Sequence, residues 1–300
     1  MAQVVRYNSP FRYPGGKAKL GGFIRELFQA NRLEGGVYAE PYAGGASVAL
    51  SLLYDGLASH VYLNDIDPAV FAFWSSAVNR TEELCRLVHD TRPTPEQWIR
   101  QRDVYSNSSC ETELALGFSA FFLNRTNRSG IIGSAGMIGG RAQRGRWKIG
   151  ARYNGRELAQ RVARIGRHRK QITVSNLDAA DFLDLAVSAL PENSLTYLDP
   201  PYYVKGNRRL YANHYDSDDH AAIAAKVRKL PFRWIVSYDD EPEIRRLYRP
   251  YRSMRYSLSY IASERQGGAE VMYFSPKLVI PSSVPATGEF NRRRIVTRTG

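Results

Sequence analysis

Leu198-Asp199-Pro200-Pro201-Tyr202 is the segment of this 300-residue chain whose residue types and spacing most directly specify chemistry. An exocyclic amine on a nucleobase is a poor nucleophile, because its lone pair is delocalised into the ring. A carboxylate and a main-chain carbonyl that accept its two N–H bonds help to localise that pair, and Asp199 and the carbonyl of Pro200 are such acceptors. Pro200 and Pro201 contribute no competing N–H and stiffen the turn. Tyr202 offers an aromatic face on which an extruded base can stack. The four residues are the candidate catalytic set.

The elements that must position this turn follow from the apolar pattern. Ser194–Leu198 is a strand, so the turn sits at a strand end, where open α/β sheets place ligands. Upstream, Gly36–Glu40 reads as a strand and Ser47–Tyr54 as an apolar helix, joined by a small-residue turn. Residues 61–64 form a second strand, and Pro68 opens a helix over 69–78. About 90 residues, 79–168, then interrupt the alternation, too long for an ordinary crossover. They read as an inserted domain, helical around 96–122 and rich in loops or hairpins afterwards. The alternation resumes with strand 172–175, helix 179–190, strand 194–198, helix 218–230 and strand 232–237. Residues 252–261 and 270–280 read as an antiparallel pair closing the sheet. The expected fold is thus α/β, a Rossmann-like sheet formed by residues 1–78 and 169–280 with the insertion 79–168 between them. Residues 281–300 read as a flexible basic tail.

Charge identifies the partner class. The chain carries +13, 34 of its 42 basic residues are arginine, and residues 125–170 hold thirteen Lys/Arg against one acidic residue, Glu157. A basic block in an otherwise balanced chain is the footprint of a polyanion-binding surface, and no apolar helical face accompanies it to favour a membrane. Two cysteines, Cys85 and Cys110, make no disulfide framework, and no His/Cys spacing suggests structural zinc. The amino terminus lacks an apolar signal core and no run approaches a bilayer span. His214 and His220 have no partner pattern and read as solvent-facing loop residues.

Asp65 stands 21 residues beyond Gly44 at the end of the second strand, where a carboxylate can accept hydrogen bonds from both hydroxyls of a ribose. A glycine-rich turn followed by such an acid also describes dinucleotide oxidoreductases. Asp199-Pro-Pro-Tyr202 separates the two readings. With these motifs in this order, residues 10–280 resemble the Dam-like (D12 class) adenine-specific DNA N6-methyltransferases.

The resemblance implies roles for further residues. Residues 11–17, FRYPGGK, resemble the family's amino-terminal cofactor motif, so that Tyr13 and Lys17 touch S-adenosylmethionine. Glu40-Pro41-Tyr42-Ala43-Gly44-Gly45-Ala46-Ser47 resembles the methionine-side motif, with Ala46 in place of the second glycine of the usual spaced pair. Asp65 and Ile66 then take the ribose and its surroundings, and Asp178, which also fits a helix cap, lies where the cofactor's adenine is held. Within the insertion, Asn124, Arg125, Asn127, Arg128 and Ser129, with Arg141, Arg144, Arg146 and Lys148, resemble the target-recognition region, and arginine and asparagine are the residues that read guanine and adenine edges bidentately. Trp147 and Tyr153 fit packing as well as base contact. Ser237-Tyr238-Asp239-Asp240 resembles the segment beneath the target-base pocket, and Arg265 meets a phosphate near the flipped nucleotide.

The expectation is an enzyme that transfers the methyl group of S-adenosylmethionine, without a metal, to adenine N6 in a specific duplex DNA site by base flipping. It acts as a monomer in the cytoplasm of a bacterial or phage-infected cell, associated with the nucleoid, within a restriction-modification system, a phage or on its own. The alternatives are methylation of cytosine N4 or an RNA guanine N2, and a catalytically inactive DNA-binding protein on the same scaffold.

Overall fold

The computed structural model describes residues 8–12, 20–203, 215–257, 269–281 and 294–296. Its centre is a mixed, mostly parallel sheet in the order β3-β2-β1-β4-β5-β7-β6-β8. The strands are β1 (Gly36–Glu40), β2 (Ala58–Asn64), β3 (Ile172–Ser175), β4 (Ser194–Leu198), β5 (Arg233–Asp239), β6 (Arg252–Ser257), β7 (Ala269–Phe274) and a short β8 (Arg294–Val296). Strands β3, β2, β1, β4 and β5 are parallel neighbours, while β7 is antiparallel to β5 and to β6. The chain leaves β1 toward β2 and β3, then returns to place β4 on the other side of β1. The topological switch point therefore lies between β1 and β4, the crevice where sheets of this kind bind ligands.

Strand alternation divides the core in two. Tyr38, Val61, Leu63, Leu195, Tyr197, Ile235, Met272 and Phe274 face α1 (Gly21–Ala30), α2 (Ser47–Tyr54) and α3 (Pro68–Asn79). Val37, Ala39, Leu198, Trp234, Val236, Tyr238, Val271 and Tyr273 face α8 (Ala179–Ala189), α9 (Ser217–Val227) and α10 (Pro242–Leu247). Every residue of β1 and β4 is buried, as expected of parallel strands covered on both faces. The bounds of β1, β3, β4 and α2 coincide with those expected from sequence.

The interrupting segment holds four helices: α4 (Thr81–Asp90), α5 (Pro95–Ser106), α6 (Glu113–Thr126) and α7 (Gly155–Arg167). The single helical stretch expected over 96–122 is thus two helices broken near 107–112, and α4 and α7 are further helices. Helix α6 is buried almost all round, so it needs a partner on every side. It crosses α3 so closely that a Cβ on Gly117 would lie 2.5 Å from the carbonyl oxygen of Ala72. One apolar cluster runs from the sheet through Phe73 and Trp74 to Phe121, Phe122, Leu158 and Val162. After α6, residues 128–148 make turns and a lone antiparallel bridge, Asn127 to Met137. At the carboxyl end, Arg294–Val296 pair with β6, so part of the expected flexible tail is a strand. Among the described residues no helix is long and apolar enough to cross a membrane.

Candidate active site

Five acidic residues stand at one edge of the sheet, on neighbouring strands and at positions of the same parity. In sheet order they are Asp65 just beyond β2, Glu40 ending β1, Asp199 just beyond β4, Asp239 ending β5, and Glu270 on β7, whose register partner is Asp239. All continue the strand positions that face α1 to α3. Such a row is costly without a positive or hydrogen-bond-donating ligand. Burial pushes the Glu40 carboxyl up to about 8, with the charge of Asp199 adding to the effect and polar groups of Tyr38 and Ala49 opposing it. Burial also pushes Asp65 up to about 7, opposed by the N–H groups of Asp67 and Gly44.

The Asp199-Pro-Pro-Tyr202 turn is held at three points. Tyr197 and Ser237 hydroxyls lie 2.5 Å apart, and the Ser237 hydroxyl donates to Asp199 Oδ1 at 3.4 Å. The N–H of Tyr203 donates to Asp239 Oδ1 at 3.0 Å. The Tyr202 hydroxyl donates to Glu270 Oε1 at 3.2 Å, so the buried Glu270, which no sequence motif marks, fixes the ring of the expected stacking residue. Behind the turn, Tyr203, Tyr215 and Tyr238 surround His220, whose Nδ1 lies 3.0 Å from the Tyr238 hydroxyl. His220 is therefore buried on α9, not a solvent-facing loop residue. Buried His220, Ile223, Ala224 and Val227 repeat at helical spacing, and that periodicity is the signal by which its burial could have been found. The half-buried Tyr42 joins this group, its hydroxyl donating to that of Tyr215 at 3.1 Å.

On the other side of the crevice the β1 loop turns sharply. Gly44 and Ala46 both take positive φ, +44° and +45°. For Ala46 that is strained backbone, and it opens α2 directly. The carbonyl of Gly44 accepts from Trp74 Nε1 at 2.9 Å, and its N–H donates to Asp65 Oδ2 at 2.9 Å. Asp65 Oδ1 accepts from Asp67 N. The buried Asn64, another residue that no sequence motif marks, knits three loops together. Its Nδ2 donates to the carbonyls of Pro41 and Leu177, and its Oδ1 accepts from Leu177 N and the Ser175 hydroxyl. Asp178 accepts from Ala180 N at 2.8 Å as the cap of α8.

This crevice fits S-adenosylmethionine. Asp65 is only half-buried and each of its oxygens retains a lone pair for a ribose hydroxyl. Next to it Ile66 is 38% exposed, an apolar face suited to a purine. The acidic row suits the positively charged sulfur. Among the described residues no group of three or more His, Cys, Asp or Glu side chains forms a metal site. Tyr13, Lys17, His214 and Arg265 lie outside the described residues.

The insertion separates its candidates sharply. Asn124 bonds the N–H and carbonyl of Arg12 and the carbonyl of Gly130. Arg125 donates Nε and Nη2 to the carbonyl of Pro10. Asn127 bonds Trp98 Nε1 and the carbonyls of Ile131 and Ile132. All three are buried, so the expectation that they read bases is corrected: their polar groups fasten residues 10–12 and the loop after α6. Arg128, Ser129, Arg141, Arg144, Arg146 and Lys148 are exposed on that loop. Trp147, beneath the guanidinium of Arg146, is 63% exposed, whereas Tyr153 is packing, buried with its hydroxyl on the carbonyl of Val88.

Comparison with known proteins bears on this site. A family model described as D12 class N6 adenine-specific DNA methyltransferase matches residues 13–261. No curated protein sequence matches the chain. Solved structures that match include a protein from Pyrococcus horikoshii described as a candidate RNA methyltransferase, at 12% identity over 88% of this chain and 85% of that one, with a TM-score of 0.39. They also include the rRNA methyltransferase AviRa from Streptomyces viridochromogenes, at 13% identity over 87% of this chain and 85% of that one, with a TM-score of 0.37.

Proposed function

Since the chain belongs to the D12 class N6 adenine-specific DNA methyltransferase family, we propose that it methylates the N6 amine of an adenine turned out of a specific duplex DNA site. Family membership makes it a methyltransferase that uses S-adenosylmethionine. The observation that carries the finer reading is the Asp199-Pro-Pro-Tyr202 turn at the β1/β4 switch point, braced by Ser237, Asp239 and Glu270.

When bound, S-adenosylmethionine supplies an electrophilic methyl group on a positively charged sulfur. Asp65 would accept the ribose hydroxyls, Ile66 would offer an apolar face to the purine, and the acidic row would offset the positive charge. Asp199 and the carbonyl of Pro200 accept the two N–H bonds of the target amine, which turns its lone pair away from the ring. Pro201 keeps the turn rigid and Tyr202, held by Glu270, stacks on the base. The Asp199 carboxylate is also the acceptor for the proton that the methylated amine sheds. Exposed Arg128 and Ser129 offer base-edge contacts and the remaining loop cations offer phosphate contacts.

Product analysis tests this reading. The protein is incubated with labelled S-adenosylmethionine and either duplex DNA or RNA, and the nucleic acid is digested to nucleosides. Label in N6-methyladenine from duplex DNA is expected. Label in N4-methylcytosine or in an RNA guanine would replace the substrate, and no label in any nucleoside would remove the catalytic reading.

A further inference from the structure

A cavity of about 400 Å³ in the insertion is lined by the arginines Arg12, Arg125, Arg152 and Arg161, with Tyr153 and Leu158 among its apolar walls. One carboxylate, Glu157, shares it and is already paired with Arg161. The two inner guanidinium groups are locked in place by main-chain carbonyls: Arg125 on that of Pro10, and Arg161 through Nη1 on that of Ser9 at 3.1 Å. Arg152 is exposed and Arg12 half-buried.

Even with Arg12 set aside, the three guanidinium groups of Arg125, Arg152 and Arg161 outnumber the one carboxylate among the described residues of this partly desolvated hollow. Burial, reinforced by Arg161, Arg12 and Arg152, brings Arg125 down to about 9. An anion would relieve this mutual repulsion, and planar guanidinium forks match phosphate oxygens two at a time. The volume lies within the range of ligand pockets.

We propose that this arginine pocket is a phosphate-binding site. Two sources offer the same chemistry: a backbone phosphate of the nucleic acid, which rests on the DNA reading above, and a free phosphorylated anion, which does not. The pocket is built from α6, α7, the turn Ile149–Arg152 and residue 12. None of its side chains belongs to the acidic row or the Asp199 turn.

The test compares the full chain with the double variant Arg12→Gln, Arg152→Gln, leaving the buried Arg125 intact so that the fold is kept. Arg156→Gln, an exposed change on α7 outside the cavity, is the control. The first measurement is the melting temperature in millimolar pyrophosphate against chloride of equal ionic strength. A rise in the parent and in Arg156→Gln but not in the double variant establishes a free-anion site. The second is duplex affinity against salt, where removing one arginine–phosphate pair lowers the log–log slope by about 0.9. A fall of about 0.9 in the double variant, the contribution of the one phosphate lost, and larger than that of Arg156→Gln, establishes a strand-phosphate site. If the double variant matches the parent in both measurements, or Arg156→Gln changes each as much as it does, the proposal is overturned. Because neither measurement detects methyl transfer, its outcome is independent of which base, if any, is modified.

Discussion

Replacing Asp199 by alanine removes the carboxylate proposed to accept the target amine yet leaves β4, whose five residues are all buried, untouched. Turnover in Asp199→Ala should fall about 100-fold or more, with melting temperature and DNA affinity close to those of the parent. Methylation at the parental rate would remove Asp199 from the chemistry. Tyr202→Phe keeps the ring and loses the bond to Glu270, so it should cost about 1 kcal/mol of stability and retain most of the activity. The two raised carboxyls give a pH prediction. Folded Glu40 and Asp65 hold protons, up to about 8 and 7 respectively, that the unfolded chain releases near pH 4. Their contribution to stability is complete below pH 4 and fades as pH rises through 7 to 8. Binding of a positively charged ligand with ribose donors favours the ionised forms, so S-adenosylmethionine should bind more tightly at pH 8 than at pH 6 and release protons near neutrality. Calorimetry in two buffers of different ionisation enthalpy measures that release, and equal heats would place the cofactor away from both acids.

At the scale of elements, the loops of the crevice depend on Asn64. Its amide satisfies groups of residues 41, 175 and 177 in a buried setting. Asn64→Ala should cost roughly 2 to 4 kcal/mol and weaken S-adenosylmethionine binding as the loops after β1 and β3 separate. A destabilised variant with unchanged cofactor affinity would show that these loops do not form the cofactor site. Why some elements were legible follows from burial. Strands β1, β3 and β4 are short runs punctuated by glycine, proline or polar turns, and their apolar content has one geometric solution. Helices α4 and α7 carry many charges, which masked the stripe that Leu158, Val162 and Ile165 turn to the core. The site divided in the same way. Asp199 stood out through its Asp-Pro-Pro-Tyr turn, Asp65 through its place after a strand and Glu40 through the family resemblance, whereas asparagines are ambiguous: an amide reads a base edge or a main-chain carbonyl with the same two groups. Asn124 and Asn127 chose the main chain because α6 is enclosed on all sides.

Across the whole molecule, charge and topology locate different tasks. The acidic row sits at the sheet edge, while the basic residues of 125–170 spread over the loop after α6 and over α7. The basic block was readable from the charge count, although the burial of Arg125 was not. The division predicts two kinds of mutant on one loop. Arg141, Arg144, Arg146 and Lys148 are exposed, and Lys148 is steadied by donation from Nζ to the carbonyl of Gln143 at 2.6 Å. Neutralising Arg144 or Lys148 should weaken cognate and scrambled duplexes alike and lower the salt slope by about 0.9 for each phosphate left without its cation. Arg128 is held at the start of the loop by its N–H on the carbonyl of Gly136 at 3.0 Å, with an exposed side chain. Arg128→Ala should cost roughly 1 to 3 kcal/mol on the cognate site, little on scrambled DNA, and broaden the set of methylated sequences. Asn127→Ala, by contrast, should lower the melting temperature and leave site choice intact wherever the protein remains folded. Salt-titrated binding and sequencing of the methylated product separate these outcomes, and if Arg128→Ala weakened both duplexes equally, the loop would grip DNA without reading it.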